Sequence, residues 1–169
     1  MYHLLCDKYG IEYDFVEFID ETLLRAWDIM ESELQLTEGV IDLLAELKNK
    51  NYKIALASNN NGSTISYVLK KFGIEHSFDA IVTAEEVKNG KPAPDVYEVA
   101  MRKIGLLPNE CIGIEDSVIG MQAVKNAGMK CVVVPNEFTR SKSFDSADLI
   151  IKSLKELSHK KIISLDGSK

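Results

Sequence analysis

Short runs of residues that are apolar throughout, each followed by a helical pattern, constrain this chain of 169 residues more than any other feature. A strand with one face in water alternates apolar and polar residues, whereas a strand covered on both faces is apolar without alternation. Five such runs occur, at residues 53–58, 79–83, 111–115, 130–134 and 148–151. They predict the strands of a parallel sheet that is covered on both faces.

Amphipathic helical patterns fill the intervals before and between these runs. Apolar residues recur at three- and four-residue spacing, and a glycine follows three of the four segments, as is common at helix C-termini. The predicted helices cover residues 39–50, 63–72, 94–104 and 117–127. Strand, helix, strand is the order of a right-handed βαβ series, so the sequence predicts an α/β fold with a doubly wound parallel sheet.

Residues 1–36 show a different pattern, a long helix whose apolar positions form a single stripe. We interpret the stripe as an ordinary core-facing surface rather than a partner-binding one. Its residues are Phe15, Phe18, Ile19, Thr22, Leu23, Ala26, Trp27 and Met30.

Charge and composition narrow the class of protein. With 20 basic and 26 acidic side chains the net charge is −6, which argues against a nucleic-acid partner. No apolar stretch approaches the roughly 20 residues of a membrane span, and no signal-peptide pattern begins the chain. Cys6, Cys111 and Cys131 are far apart in the sequence, so we expect reduced thiols and a cytoplasmic protein.

Polar, reactive residues follow three of the predicted strands at the point where each strand ends. Ligands bind at the carboxyl ends of strands in open parallel sheets, so these residues are candidates for one site. The first group is Ser58 and the amides of Asn59–Asn61, directly before a helix N-terminus, where unpaired N–H groups attract an anion. Taken alone, a capping turn explains this group equally simply.

The other two groups supply charge. Lys91 directly precedes a stiff segment with Pro92 and Pro94, although a solvated surface lysine is the simpler interpretation of that position alone. Glu115 and Asp116 are adjacent carboxylates at a strand end, and one of them could merely cap the next helix. Together they suit a hard, oxygen-ligated cation such as Mg²⁺.

The order and spacing of the three groups resemble motifs two, three and four of the haloacid dehalogenase superfamily. Three segments look especially like its β-phosphoglucomutase and phosphoglycolate phosphatase branch. They are Leu-Ala-Ser-Asn at 56–59, Gly-Lys-Pro-Ala-Pro-Asp at 90–95 and Gly-Ile-Glu-Asp-Ser-Val-Ile-Gly-Met-Gln-Ala at 113–123. The resemblance implies a partial helical cap at 1–36, an α/β core at 37–158 and a tail at 159–169.

The resemblance also implies a role for each residue. Ser58 would hydrogen-bond the transferring phosphoryl group, and Asn59 would add a donor beside it. Lys91 would neutralise charge on the phosphoryl oxygens. Asp116 would ligate Mg²⁺, and Glu115 would support the metal directly or through water. Positioning and charge stabilisation of this kind are what phosphoryl transfer requires.

The first motif of that family, an apolar strand followed by Asp-x-Asp-Gly-Thr, has no counterpart in these residues. Its first Asp is the nucleophile and its second the acid/base, and its strand lies at the centre of the sheet. Residues 161–168 contain a degraded version, with Ser164 and Asp166 at the two positions, and a fortuitous tail is the simpler interpretation. We therefore expect a truncated chain, a fragment, or a partner segment that supplies the missing strand.

Two functions stay open from the sequence. One is a Mg²⁺-dependent phosphatase or phosphomutase for a small phosphorylated metabolite, impaired where the nucleophile is missing. The other is a non-catalytic module of the same fold that binds a phosphorylated ligand or regulates. A response-regulator-like fold is disfavoured by the Lys91 segment and by the Glu115–Asp116 pair. Neither the substrate nor the choice between hydrolysis and phosphoryl transfer can be read from the sequence.

Overall fold

The five apolar runs form strands, and the four amphipathic segments form helices, in a computed structural model of the chain. The structure describes residues 25, 27–29 and 31–166. The chain divides into two units, 1–36 and 37–169. In the first unit, residues 25, 27–29 and 31–32 are helical. Of the predicted apolar stripe only Trp27 is among the described residues, and its side chain is 40% exposed.

The elements of the second unit follow the predicted order closely. The strands are β1 (Ala55–Ala57), β2 (Ala80–Val82), β3 (Ile112–Glu115), β4 (Lys130–Val133) and β5 (Leu149–Ile150). The α-helices are α1 (Val40–Asn49), α2 (Gly62–Phe72), α3 (Asp95–Ile104), α4 (Val118–Asn126) and α5 (His159–Asp166). Short 3-10 turns lie at Glu75–Ser77, Ala84–Glu86, Pro108–Glu110 and Leu154–Glu156. Within the described residues no helix is long and apolar enough to cross a membrane.

All strand pairs are parallel, as predicted, but the ladder is in two parts. In one part β1 pairs with β2, with Ala55 opposite Ala80. In the other, β4 lies between β3 and β5, with Ile112 opposite Lys130 and Val132 opposite Leu149. No ladder joins β1 to β3 among the described strands.

Two apolar clusters cover opposite faces of these strands, which gives the layered arrangement that the unalternated runs predicted. On one face α3 and α4 pack around Val96, Val124 and the β4 residues Cys131 and Val133. On the other face α1 and α5 pack around Val132, which lies between Cys131 and Val133 in β4. Successive side chains of a strand point to opposite faces, so β4 contributes to both clusters.

The segment predicted as a tail begins with helix α5, so residues 161–166 do not form the strand that the degraded-motif alternative required. Ile162 and Leu165 pack against the cluster on the α1 face, which a helical spacing of three residues permits. The Tyr52 hydroxyl and His159 Nδ1 lie 2.9 Å apart, and the His159 N–H donates to Glu46 Oε1. These contacts attach the helix to the core.

Candidate functional site

The residues predicted from strand ends lie at one edge of the sheet. Ser58 and Asn59 follow β1, while Glu115 ends β3 and Asp116 follows it. Lys91 comes from the loop before α3. Hydrogen bonds connect Asn59 to Lys91 and Lys91 to Glu115, so three of the predicted residues form a continuous chain of contacts.

Asn59 holds the backbone of Lys91. Its Oδ1 accepts from the Lys91 N–H at 2.9 Å, and its Nδ2 donates to the Lys91 carbonyl at 3.4 Å. A Cβ at Gly90 would lie 3.0 Å from Asn59 Oδ1, so glycine there leaves room for the amide. The side-chain amide predicted to bind phosphate therefore makes one donated and one accepted hydrogen bond to the backbone of Lys91, and so positions that residue.

A nearly buried ion pair joins Lys91 to Glu115. Their side chains are 12% and 8% exposed, and the Lys91 ammonium donates to Glu115 Oε1. The Tyr97 hydroxyl donates to the same oxygen, and the ammonium lies 4.9 Å from the centre of the Tyr97 ring. Burial, and then the neighbouring Glu115 carboxylate, raise the pKa of Tyr97, so this hydroxyl keeps its proton as a donor.

Glycine at position 120 leaves room for the Glu115 carboxylate. A Cβ there would overlap Glu115 Oε2, the oxygen that neither Lys91 nor Tyr97 contacts. Glu115 is thus fixed at both oxygens, by hydrogen bonds on one side and by close packing on the other.

Asp116 differs from Glu115 because its side chain is exposed at the sheet edge. Two residues of the loop after β4 contact it: Asn136 Nδ2 donates to Asp116 Oδ2, and the Thr139 hydroxyl donates to the Asp116 carbonyl. Sequence reasoning missed Asn136 and Thr139. The rule that found the other residues, polar side chains directly after a buried strand, would have found Asn136 at the end of the fourth strand.

The N-terminus of α2 already has an anion among the described residues. The Gly62 N–H donates to the Glu85 carboxylate at 3.1 and 3.2 Å, and Asn61 caps the helix by accepting from the Thr64 N–H. The Thr83 hydroxyl, followed by backbone N–H groups, lowers the pKa of Glu85. The helix end predicted to attract an external anion is therefore satisfied internally.

Ser58 keeps its hydroxyl proton available within the described part of the chain. Its Oγ accepts from the Asn60 N–H at 3.1 Å and donates to none of those residues. No hydrogen bond among them links Ser58 to Lys91 or Asp116. The structure places Ser58 at the correct edge and leaves its donor free for a ligand.

Two of the predicted site residues, Glu115 and Asp116, are acidic. Among residues 25, 27–29 and 31–166, no group of three or more His, Cys, Asp or Glu side chains could hold a metal ion. Mg²⁺ often binds one or two carboxylates and completes its octahedron with water and substrate oxygens. The Glu115–Asp116 pair therefore fits Mg²⁺ in donor type, and Asp116 is the more exposed of the two.

A cavity of about 340 Å³ separates the two parts of the sheet and reaches Glu115. Its lining includes residues 53–57 and 111–115, which contain β1 and β3. The remaining walls are mainly apolar and come from both faces of the unit, on one face Tyr97, Ala100, Met101 and Ile104 and on the other Leu47, Leu157, Ile162 and Ile163.

Strand register shows which backbone groups face this cavity. Ser58 N donates to Val82 O, and Val134 N donates to Glu115 O, so these residues face their strand partners. The direction alternates along a parallel strand, so the N–H and C=O groups of Ala57 and Ile114 point the other way, into the cavity. The cavity is lined by two parallel strand edges.

Comparison with known proteins confirms the resemblance found in the sequence. The family model described as haloacid dehalogenase-like hydrolase matches residues 3–134. Hexitol phosphatase B of Escherichia coli (strain K12) is 35% identical over 148 residues, which are 87% of this chain and 67% of that protein.

Solved structures of similar proteins support the same family resemblance. CbbY from Rhodobacter sphaeroides in complex with phosphate matches with a TM-score of 0.77 and 30% identity, over 87% of this chain and 67% of that one. The β-phosphoglucomutase of Clostridium difficile matches with a TM-score of 0.69 and 31% identity, over 78% of this chain and 56% of that one. Of two further curated relatives the chain spans 58% and 56% of the length.

Proposed function

Because the chain belongs to the haloacid dehalogenase-like hydrolase family, we propose that it forms the core of a Mg²⁺-dependent phosphoryl-transfer enzyme. The substrate is a small phosphorylated metabolite, and the reaction is that of a phosphatase or a phosphomutase. The observation that carries the proposal is the contact chain from Asn59 through Lys91 to Glu115, next to the exposed Asp116. The names of similar proteins, a hexitol phosphatase and a phosphoglucomutase, support this class of reaction.

Lys91 is the residue that neutralises phosphoryl charge in this proposal. Its ammonium is nearly buried, so its attraction to an anion is little screened by water. Asn59 fixes the lysine backbone, and Glu115 with Tyr97 fixes the ammonium. The Ser58 hydroxyl donates a hydrogen bond to a phosphoryl oxygen. Preorganised donors of this kind stabilise a transition state without reorganisation during the reaction.

Asp116 and Glu115 would hold Mg²⁺. Asp116 is the direct ligand because its Oδ1 accepts no hydrogen bond from the described residues, whereas Glu115 Oε1 accepts from both Lys91 and Tyr97. Glu115 would support the metal through water, and its Oε1 also holds the Lys91 ammonium. Bound Mg²⁺ supplies positive charge next to the transferred phosphoryl group.

An additional strand from outside residues 37–166 completes the site in this proposal. The cavity between β1 and β3 has two parallel strand edges and apolar side chains on both faces, which an extended, wholly apolar segment of four or so residues would fit. Its carboxyl end would lie beside Glu115 and Lys91. A carboxylate there is the nucleophile that this sequence, with no Asp-x-Asp pattern, does not supply.

A cytoplasmic location accompanies the proposal. Cys111 and Cys131 are free thiols in the structure, and burial raises the pKa of Cys131 to about 12. Unpaired, unreactive thiols are typical of a reducing compartment.

The test is hydrolysis of p-nitrophenyl phosphate with Mg²⁺ by the 169-residue chain, alone and fused to a strand segment that ends in Asp-x-Asp-Gly-Thr. We expect trace turnover alone and a strong gain with the segment. Lys91→Ala should lower the turnover of the fused chain by at least about 100-fold. Lys88 is an exposed lysine on the same loop, and Lys88→Ala should leave that turnover unchanged.

Two outcomes would change the proposal. Turnover of about 1 s⁻¹ or more by the unextended chain would mean that another nucleophile exists. Phosphate binding without turnover by the extended chain would favour the non-catalytic module of the same fold.

A further inference from the structure

The loop that follows β4 makes contacts with Asp116 that the reaction scheme above does not use. β3 and β4 are parallel neighbours, and the Val134 N–H donates to the Glu115 carbonyl at 2.8 Å, so both strands end at the same edge. The residues after β4 consequently lie beside the residue after β3. Asn136 is exposed and Thr139 half-buried, and both contact Asp116.

The orientation of the Asn136 amide is set by its own loop. Its Oδ1 accepts from the Phe138 N–H at 2.9 Å and from the Thr139 N–H at 3.1 Å. An amide whose oxygen faces two N–H groups must turn its NH₂ the other way. Here that NH₂ donates to Asp116 Oδ2 at 2.9 Å.

Thr139 adds a second contact from the same turn. Its hydroxyl accepts from the Asn136 N–H at 3.0 Å and donates to the Asp116 carbonyl at 2.7 Å. The loop therefore holds both the backbone and one carboxylate oxygen of Asp116. The other oxygen, Oδ1, accepts no hydrogen bond from the described residues and is left for a ligand.

We propose that Asn136 and Thr139 are positioning residues that orient the Asp116 carboxylate, with Oδ1 toward the ligand, and so set the Mg²⁺ affinity of this edge. The inference rests on the proposed function, in which Asp116 is the metal ligand. A neutral amide suits the task because it fixes the carboxylate by a hydrogen bond and brings no positive charge that would repel the metal. Outer residues that orient a ligand typically change metal affinity by about 10- to 100-fold.

The experiment is calorimetric Mg²⁺ titration of the full 169-residue chain and its variants, with thermal unfolding measured without metal. Asn136→Ala and Thr139→Val should each weaken Mg²⁺ binding about tenfold or more. Thr139→Ser keeps the hydroxyl and should bind as the unsubstituted chain does. Phe138→Ala is the matched control on the same loop, because that side chain is 79% exposed, and it should also leave the affinity unchanged.

Asp116→Asn separates the inference from the proposed function. Loss of binding in Asp116→Asn, with unchanged affinity in Asn136→Ala and Thr139→Val, would overturn the positioning role and leave the metal site standing. Absence of binding in the unsubstituted chain would overturn both. If Asn136→Ala lowers the unfolding temperature, the positioning role is decided by comparing the Mg²⁺ affinities of Thr139→Val and Thr139→Ser. Equal affinities in that pair overturn the role of Thr139, and a tenfold difference supports it.

Discussion

The two parts of the sheet are built from similarly apolar residues, yet they are covered to different extents. In β4, Cys131, Val132 and Val133 are completely buried. In β1, all three residues of Ala55–Ala57 remain partly exposed. β4 has a paired strand on each side, whereas β1 has a paired strand on one side and the cavity on the other. Burial in this fold is therefore decided by neighbouring strands as much as by the hydrophobicity of the run itself.

The difference also locates the weak part of the molecule. A strand edge without a partner leaves backbone groups to be satisfied by water, and this lowers the local free energy of opening. Both edges of the cavity are of this kind. Tests that compare equivalent substitutions in the two parts of the sheet should therefore give unequal results.

The largest difference is expected for core truncation. Val132→Ala removes two buried carbons at a position with no exposure, and should lower the free energy of unfolding by about 2–3 kcal/mol. Leu56→Ala removes more atoms, but Leu56 already lines the cavity, so its loss should be about 1 kcal/mol. Urea unfolding measures both values. Equal losses would contradict the comparison. If a strand segment is added and the loss of unfolding free energy caused by Leu56→Ala rises, the result would support the comparison further.

Amide hydrogen exchange should separate the same strands. The N–H groups of Ala57 and Ile114 face the cavity, while those of Val132 and Val133 face paired strands. We expect the first pair to exchange about 100-fold faster than the second at neutral pH. Protection of Ala57 and Ile114 by an added strand segment would show that the cavity accepts a strand. Equal protection without the segment would show that the edges are not open.

A smaller effect is expected where α4 packs closely on β3. A Cβ at Gly113 would overlap the Val124 side chain of α4, so Gly113→Ala should cost about 2 kcal/mol through overpacking. Gly62→Ala, at the start of the helix that follows β1, is the control, since a Cβ there meets only Thr83 Oγ1 at 3.9 Å. It should be near neutral in thermal or urea unfolding. A cost for Gly62→Ala as large as that for Gly113→Ala would contradict the comparison.

Most of this architecture could be predicted from the sequence because its signals are local. Apolar runs gave all five strands, and glycines at positions 73, 105 and 128 marked helix ends correctly, each with a positive φ. The strand-end rule also matches the positions of Ser58 and the Glu115–Asp116 pair, whereas Lys91 lies in the loop before α3, beyond the end of β2. Those signals need only a few neighbouring residues and a known sheet direction.

The failures concern contacts between distant segments. The sequence did not reveal that Glu85 occupies the N-terminus of α2, or that Asn59 is engaged by Lys91. Apolar and polar residues do not alternate clearly in residues 161–166, so the sequence was compatible with a strand or a helix. The segment forms a helix because that conformation packs its apolar residues against the α1 face. Such contacts depend on the three-dimensional arrangement, which no local pattern specifies.

Asp79 and Asp148 perform the same structural task in the two parts of the sheet. Each stands directly before a strand and accepts from a backbone N–H of the neighbouring strand region, Asp79 from Ile54 at 2.9 Å and Asp148 from Cys131 at 2.7 Å. Each also pairs with lysine, Lys48 and Lys53 for the first and Lys125 for the second. The hydrogen bond from the Ile54 N–H, aided by the lysines, lowers the pKa of Asp79 from 3.8 to about 2.

The smallest expected effect is therefore that of Asp79→Asn. The carboxylate is partly exposed and screened by water, so the substitution should lower the free energy of unfolding by about 1 kcal/mol or less at neutral pH. Because the pKa is lower in the folded state, this contribution is complete above pH 3.8 and is lost as the pH falls towards about 2. Urea unfolding of the chain and the variant across that range should show the difference shrinking as the pH falls. Asp148→Asn is the matched variant. Burial raises the pKa of Asp148, but its hydrogen bonds and the neighbouring lysine charges together outweigh burial, so this pKa is also lowered in the folded state. Opposite pH trends for the two variants would show that the two aspartates do not perform the same task.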